Sequence, residues 1–317
     1  MNPTPTPILG VLLTLAGVAM ATTAGWLIAA VASLVIQRVG HSSVTARATL
    51  LAQARLMPLT LVLVMVPAQV VGFARFEAGR PESAGPLLIA LAFLGIVFLA
   101  DACITGLRSW RQTRQIVGAW RKSAMPITLP AWARRAWTIR RRFPIVAVVG
   151  IVRPQLFVAG QVTAECTPRE LAAIAAHEAA HVDARDNLLR LLFRVTPAVS
   201  IASRIAIPIE RAWAVAAEES ADERARAHDS GVELASALTK VARLAADATP
   251  EALPVSALIR SDDLEHRVRR LLQSPTQPRA LQWGWIGFSV ALVLALALQT
   301  TTVLHKLHDA FELLVQR

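Results

Sequence analysis

The run His177-Glu-Ala-Ala-His181 has the residue types of a zinc-dependent hydrolase. Two histidines four residues apart on a helix lie on one face, one turn apart, so both imidazoles can reach one metal ion. Glu178 follows the first histidine, where its carboxylate can take a proton from a water molecule at the metal. The sequence therefore predicts a zinc centre with His177 and His181 as ligands and Glu178 as the proton acceptor.

A third ligand is expected downstream, because a catalytic zinc usually has three protein ligands and keeps one position for water or substrate. The run Glu218-Glu-Ser-Ala-Asp222 offers it. Glu218 and Asp222 are four residues apart and share a helix face, whereas Glu219 lies about 100° further round the helix. Spacing alone leaves Glu218 and Glu219 open as the third ligand.

Capping residues predict the helix that positions the histidines. Thr167 can act as the N-cap, Pro168 occupies the first helical position, and Glu170 completes a capping box. We expect this helix to run through both histidines towards Arg194.

Three further elements follow from composition. Residues 144–152 and 155–159 are β-branched and apolar around Arg153-Pro154, which predicts a pair of short strands. Residues 211–228 predict the helix that carries Glu218. The apolar segment 195–209 between the two helices is too short for a confident crossing, and we expect a re-entrant or interfacial piece.

The composition is that of a membrane protein. The 317 residues are 54% hydrophobic and only 17% charged, below the roughly 25% usual in soluble domains. Residues 8–36, 56–73, 83–100 and 281–304 are each long and apolar enough to cross a bilayer. The predicted domains are three transmembrane helices (1–107), a basic juxtamembrane connector (108–142), a zinc metallopeptidase domain (143–280), a fourth transmembrane helix (281–304) and a short external tail (305–317).

Basic residues predict the topology. The segment from Arg108 to Arg142 holds ten basic residues and no acidic one, which favours a cytoplasmic central segment with both termini outside. Most of the net charge of +11 lies in this segment, where it would attract anionic lipid rather than nucleic acid. The tryptophans interleaved with it are expected to be interfacial anchors: Trp110, Trp120, Trp132 and Trp137.

These motifs together resemble the BlaR/MecR-type family of membrane metallopeptidases. The run His177-Glu-Ala-Ala-His181 is followed by Val-Asp-Ala-Arg185-Asp186-Asn187-Leu and preceded by the apolar run 144–154. Glu218-x-x-Ala-Asp222 fits the family's Glu-x-x-(Ala/Cys)-Asp element, and the three-plus-one arrangement of spans fits as well. The resemblance extends from the first span to the last.

The resemblance implies a fold and a set of site residues. The fold is mainly α and integral to the membrane, with four transmembrane helices and a cytoplasmic gluzincin-like α+β protease domain inserted between the third and fourth. Glu218 is then the third zinc ligand, and Asp222 orients a ligand histidine. One Zn²⁺ is expected per chain.

The resemblance also implies a regulatory protease of the bacterial inner membrane that cleaves a transcriptional repressor or itself. The expected partners are this protein substrate, the lipid bilayer and a second copy of the chain, with no nucleic acid. Family members that sense β-lactams carry a penicillin-binding domain beyond the last span. About a dozen residues follow Leu304 here, so direct antibiotic sensing is not expected.

Two alternatives stay open for the function. The HtpX and CAAX-protease group shares the same motif logic, which makes a quality-control protease a neighbouring hypothesis. A non-catalytic receptor or scaffold would hold zinc only structurally, in a site closed by four protein ligands. The sequence offers no obvious fourth ligand.

Three residues near the predicted centre each have two interpretations. Arg185 and Asp186 either form a buried pair that steadies the site or an exposed pair of little energetic weight. Arg267, in Leu264–Leu272, either contacts a carboxylate or a substrate oxyanion or belongs to a basic amphipathic helix near the membrane. The second interpretation of Arg267 is the commoner outcome for such a helix.

Overall fold

The computed structural model describes residues 6–38, 43–76, 83–130, 132, 135–140, 145–199, 201–226, 231–246 and 264–273. Most of them are helical. The chain divides into two compact units. The described part of the first lies within 1–106 and 192–213, and that of the second within 107–191 and 214–278. The predicted fourth span, 281–304, lies outside the described residues.

Within the described residues, three helices are long and apolar enough to cross a membrane. They are α1 (Thr6–Arg38), α2 (Val44–Phe76) and α3 (Pro86–Arg121). At 1.5 Å per residue, α1 is about 50 Å long, more than the roughly 30 Å of a hydrocarbon core. Close packing of α1 on α2 needs Gly25, because a Cβ at that position would collide with the backbone of Pro58.

The segment 192–213 packs with these helices inside the first unit. Arg55, in α2, is 2% exposed, and its Nε lies 2.6 Å from Glu210 Oε1. An Nη atom of Arg55 donates to Phe193 O at 2.6 Å, and Trp26 Nε1 donates to Pro197 O at 2.8 Å. Pro197 of the segment predicted to be re-entrant or interfacial thus contacts α1, and the residues Phe193 and Glu210 that flank the segment contact α2. The depth of the segment in a bilayer stays a prediction.

The second unit contains a four-stranded sheet and the helices around it. The strands are β1 (Met125–Ile127), β2 (Ala136–Ile139), β3 (Val146–Val149) and β4 (Gln155–Ala159), in the order β1-β2-β4-β3. The β2–β4 pair is parallel, and the other two pairs are antiparallel. The helices that follow are α4 (Gly160–Glu165), α5 (Pro168–Asp183), α6 (Asp186–Val195), α7 (Ile201–Arg226), α8 (Gly231–Ala246) and α9 (Leu264–Leu272).

The predicted strand pair is confirmed as β3 and β4, whereas β1 and β2 come from the stretch expected to be a connector. Trp120 and Trp132 are 1% and 4% exposed. Trp120 packs edge-on against Phe157, and Trp132 Nε1 donates to Ala175 O at 2.9 Å. The prediction that these two tryptophans are interfacial anchors is therefore wrong. Trp110, which is 55% exposed, keeps that prediction open.

The predicted capping box at the start of α5 is confirmed. Thr167 Oγ1 accepts a hydrogen bond from Glu170 N at 3.3 Å, and Glu170 Oε2 accepts one from Thr167 N at 2.7 Å. The same carboxylate accepts hydrogen bonds from Ser236 Oγ at 2.6 Å and Lys240 Nζ at 2.8 Å. Glu170 thus fixes the start of the histidine helix to α8.

The predicted end of the histidine helix and the predicted start of the helix that carries Glu218 are both wrong. The histidine helix does not continue to Arg194, because α5 ends at Asp183 and α6 begins at Asp186. Between them Arg185 has a φ of 56°, a left-handed conformation that interrupts a helix. The second helix begins at Ile201 rather than near residue 211 and includes Pro208.

We predict that Glu170→Gln destabilises the protein in a pH-dependent way. Burial opposes ionisation, but the Lys240, Ser236 and Thr167 donors outweigh it and lower the pKa of Glu170 to about 2. Its stabilisation is therefore full above the ordinary value of 4.5 and is lost as the pH falls towards 2. Glutamine can still complete the capping box, but loss of the charged contact with Lys240 should cost about 1 kcal/mol, or roughly 2–4 °C in Tm at pH 7.

Thermal unfolding of the detergent-solubilised protein measures this difference. Glu265→Gln is the matched control, because Glu265 is 86% exposed and its ion pair in the described part of the chain is with Arg269, four residues along the same helix. The control should leave Tm unchanged. A Glu170→Gln effect that is absent at pH 7, or that does not shrink below pH 4.5, would contradict this assignment.

Candidate metal centre

Helices α5 and α7 bring three potential metal ligands together in the second unit. His177 Nε2 and His181 Nε2 lie 3.1 Å apart. Glu218 Oε2 is 3.5 Å from His177 Nε2, and Glu218 Oε1 is 3.6 Å from His181 Nε2. Among the described residues, these three side chains form the group that could hold a metal ion. Glu219 instead lies 2.8 Å from Arg270, so the geometry favours Glu218 as the third ligand.

Each histidine has a carboxylate behind it. Asp186 Oδ2 is 2.6 Å from His181 Nδ1, and Asp222 Oδ1 is 3.0 Å from His177 Nδ1. A carboxylate at Nδ1 keeps a proton on that nitrogen, which leaves the lone pair of Nε2 free for a metal. Both Nε2 lone pairs and the Glu218 carboxylate therefore converge on one place.

The three ligands fit a zinc ion. With zinc–nitrogen distances of 2.0–2.1 Å, two tetrahedral ligand atoms lie about 3.3 Å apart. The two Nε2 atoms are 3.1 Å apart, each has a different Glu218 oxygen nearest to it, and one ligand atom from each residue lies within 4.8 Å of the others. A small shift of the Glu218 side chain would bring one of its oxygens to the tetrahedral spacing. Glu218 Oε2 is buried and accepts no hydrogen bond from the described residues, although Arg267 Nη1 lies 3.3 Å away. A buried acceptor without a donor is costly, and a cation between the three ligands would satisfy it.

Charge in the centre is balanced by protons when no cation is bound. Burial opposes protonation of His181, but Glu218 and Asp186 outweigh it and raise its pKa to about 10. Burial also disfavours ionised Glu218, yet the two histidines and Arg267 hold the pKa of Glu218 well below its usual range. Zinc requires neutral imidazoles, so its binding must displace these protons.

Glu178 lies on α5 beside His177 and is 5% exposed. Burial raises its pKa above the ordinary value, although the charges of His181 and His177 oppose the shift. A carboxylate with a raised pKa is a better proton acceptor near neutral pH. The position and environment of Glu178 thus suit the predicted role.

Arg267 also contacts Asp222, the carboxylate beside His177. Its Nε and Nη2 atoms each lie 2.8 Å from an oxygen of Asp222, a bidentate pair, and the residue is 6% exposed. Of the two interpretations of Arg267, the structure shows contact with a carboxylate, which was the less favoured one. Only the outer face of α9 is a basic amphipathic surface, as the 68% exposed Arg269 shows.

Arg185 and Asp186 do not form the pair considered from the sequence. Asp186 is 3% exposed and contacts His181, whereas Arg185 is exposed and contributes its left-handed backbone. The sequence reasoning also missed Asn187, whose Nδ2 donates to Val148 O and Gly150 O at 3.1 Å each. Asn187 directly follows Asp186 in the run that resembles the BlaR/MecR-type family, and this position could have indicated a role for it.

No protein-family model matches the chain, and a search of curated proteins finds no match either. The resemblance to the BlaR/MecR-type family stays a prediction.

We predict that Asp222→Asn weakens zinc binding by about 10- to 100-fold, the usual effect of changing a residue that orients a metal ligand. The change removes the negative charge behind His177 and weakens the bidentate contact with Arg267. Competition with a chromophoric chelator at neutral pH measures the affinity. An unchanged affinity would show that Asp222 does not orient His177.

Arg185→Gly is the matched control for this measurement. Glycine adopts a positive φ without strain, and the Arg185 side chain is exposed. The variant should keep the zinc affinity of the unmodified protein. Weakened binding would assign a direct role to the Arg185 side chain.

Proposed function

We propose that this protein is a membrane-embedded zinc metallopeptidase that hydrolyses peptide bonds in a cytoplasmic or membrane-proximal protein. The observation that carries the proposal is the convergence of two Nε2 atoms, 3.1 Å apart, and one carboxylate beside the buried Glu178. A zinc ion bound there would polarise the scissile carbonyl and lower the pKa of water towards about 7.

The residues of the chain have three roles: metal binding, orientation of the ligands and proton transfer. His177, His181 and Glu218 would hold the ion, and the carboxylates of Asp186 and Asp222 lie where they orient the two imidazoles. Glu178 takes a proton from the attacking water as its oxygen bonds to the carbonyl carbon. The same proton then passes from Glu178 to the leaving nitrogen as the carbon–nitrogen bond breaks.

The number of ligands favours catalysis over a structural role. A structural zinc is usually enclosed by four protein ligands, whereas a catalytic zinc has three and one open position. The group formed by the described residues has three. The non-catalytic receptor or scaffold hypothesis gains no support from this arrangement.

The membrane helices and their flanking charge support the proposed location. Three helices can cross a membrane, and the end of α3 bears Arg108, Arg111, Arg114 and Arg121. Basic residues at this position favour a cytoplasmic catalytic unit in a bacterial inner membrane. The resemblance to the BlaR/MecR-type family implies that the substrate is a transcriptional repressor or the protease itself, and cleavage would then transmit a signal from the membrane.

We predict that Glu178→Gln lowers proteolysis by at least about a hundredfold, the contribution of a positioned general base, and leaves one zinc bound. Cleavage of β-casein by the detergent-solubilised, zinc-loaded protein measures the rate, and the new protein N-termini in native cells identify substrates. Glu219→Gln is the control, because Glu219 contacts Arg270 and His266 instead of the proposed ligands His177 and His181. It should keep its activity.

Full activity in Glu178→Gln would refute the proposed mechanism. Stoichiometric zinc in the double variant His177→Ala, His181→Ala would refute the proposed ligands. If the unmodified protein holds zinc but cleaves nothing in either assay, the scaffold hypothesis replaces the peptidase.

A further inference from the structure

Two neighbouring residues at the turn between α5 and α6 contact different parts of the second unit. Arg185, with a φ of 56°, ends the histidine helix, and Asp186 and Asn187 begin α6. Asp186 contacts His181 Nδ1 at 2.6 Å, while the neighbouring Asn187 donates to the backbone of strand β3. One short turn thus touches both a metal ligand and the sheet.

The atoms that Asn187 contacts belong to the outer edge of the sheet. Strand β3 is at the end of the order β1-β2-β4-β3. Ile145 O accepts a hydrogen bond from Ala159 N, and Val148 faces Leu156 in the antiparallel register. Since alternate residues bond to the partner strand, the carbonyls of Val148 and Gly150 point away from β4.

Gly150 allows one side-chain amide to reach both carbonyls. Asn187 Nδ2 lies 3.1 Å from Val148 O and 3.1 Å from Gly150 O. Gly150 has a φ of 106°, and a Cβ there would lie 2.8 Å from Arg153 O, so the bend at the end of β3 requires glycine. Asn187 takes the place that a donor from a neighbouring strand would occupy.

Strand β3 also lies against the helix that carries the histidines. Val146 and Val148 belong to one buried cluster with Ile174 and Ala175 of α5. The edge strand is therefore fixed to the metal-binding helix twice, by apolar packing along its length and by Asn187 at its end.

We propose that Asn187 is a positioning residue, which ties the β3 edge to the turn that orients His181 and so sets the register of a peptide paired alongside β3. This inference rests on the proposed peptidase function. Proteases commonly bind an extended peptide by strand addition, and the scissile bond must lie within about 0.5 Å of its productive position. A peptide that extends the sheet meets Asn187 at Val148, which limits how far it can slide.

The test uses zinc-loaded and zinc-free full-length protein in detergent, with Asn187→Ala and Asn187→Asp. The aspartate variant keeps the size of the side chain but cannot donate to the two carbonyls. Gln155→Ala is the control. Gln155 lies in strand β4 of the same sheet, and the change removes an exposed contact between its side-chain amide and Arg121 of α3. The readouts are amide hydrogen exchange of the β3 peptides and the distribution of cleavage sites in β-casein.

In the unmodified protein and the control, zinc should slow exchange in both α5 and β3. In the two Asn187 variants, β3 should exchange about tenfold faster and no longer respond to zinc, as expected when two hydrogen bonds are lost, while α5 keeps its response. Cleavage in these variants should spread to neighbouring bonds. Unchanged β3 exchange and an unchanged cleavage pattern would overturn the proposal, and so would increased activity, which would make Asn187 a blocking residue.

Failure of this inference can be told apart from failure of the proposed function. If the unmodified protein cleaves nothing but β3 loses its response to zinc in the Asn187 variants, the coupling of the edge to the metal turn stands and the peptidase does not. If the protein cleaves β-casein and the variants match it in both readouts, the peptidase stands and the role of Asn187 does not.

Discussion

The second unit holds two imidazole nitrogens and a carboxylate so close together that they repel one another unless a positive charge lies between them. His177 Nε2 and His181 Nε2 are 3.1 Å apart, and the carboxylates of Asp222 and Asp186 hold their far nitrogens. This arrangement needs a positive charge at its centre, supplied by protons or by a metal ion. Burying so many charges is costly unless each has a partner. The helices around the centre supply these partners, with Arg267 of α9 paired to Asp222.

The elements that carry these residues are held by local contacts. The Thr167–Glu170 capping box fixes the start of α5, and the left-handed Arg185 ends it, so that Asp186 reaches His181. The first unit has its own buried charge, Arg55, which pairs with Glu210 among α1, α2 and the segment 192–213. An ionised side chain in a membrane helix is expensive, and a partner that neutralises it stabilises the packing of that segment.

Local patterns predicted the parts of the site that depend on neighbours in sequence. The capping box, the face shared by His177 and His181 and the β3–β4 pair each follow from spacing within a few residues. Contacts between distant segments were not predictable in this way. Trp132 is buried against Ala175 and Arg267 against Asp222, and neither partner is visible from the local sequence. The break at Arg185 was missed because neither glycine nor proline marks it.

We infer that His177, His181 and Glu218 would hold one zinc ion and leave one position open. X-ray absorption at the zinc edge of the purified, zinc-loaded protein reports the number and type of ligand atoms. We expect four light atoms at about 2.0–2.1 Å, with outer scattering from two imidazoles that disappears in the double variant His177→Ala, His181→Ala. A sulfur shell at about 2.3 Å, or the same imidazole scattering in the double variant, would show that other residues bind the ion.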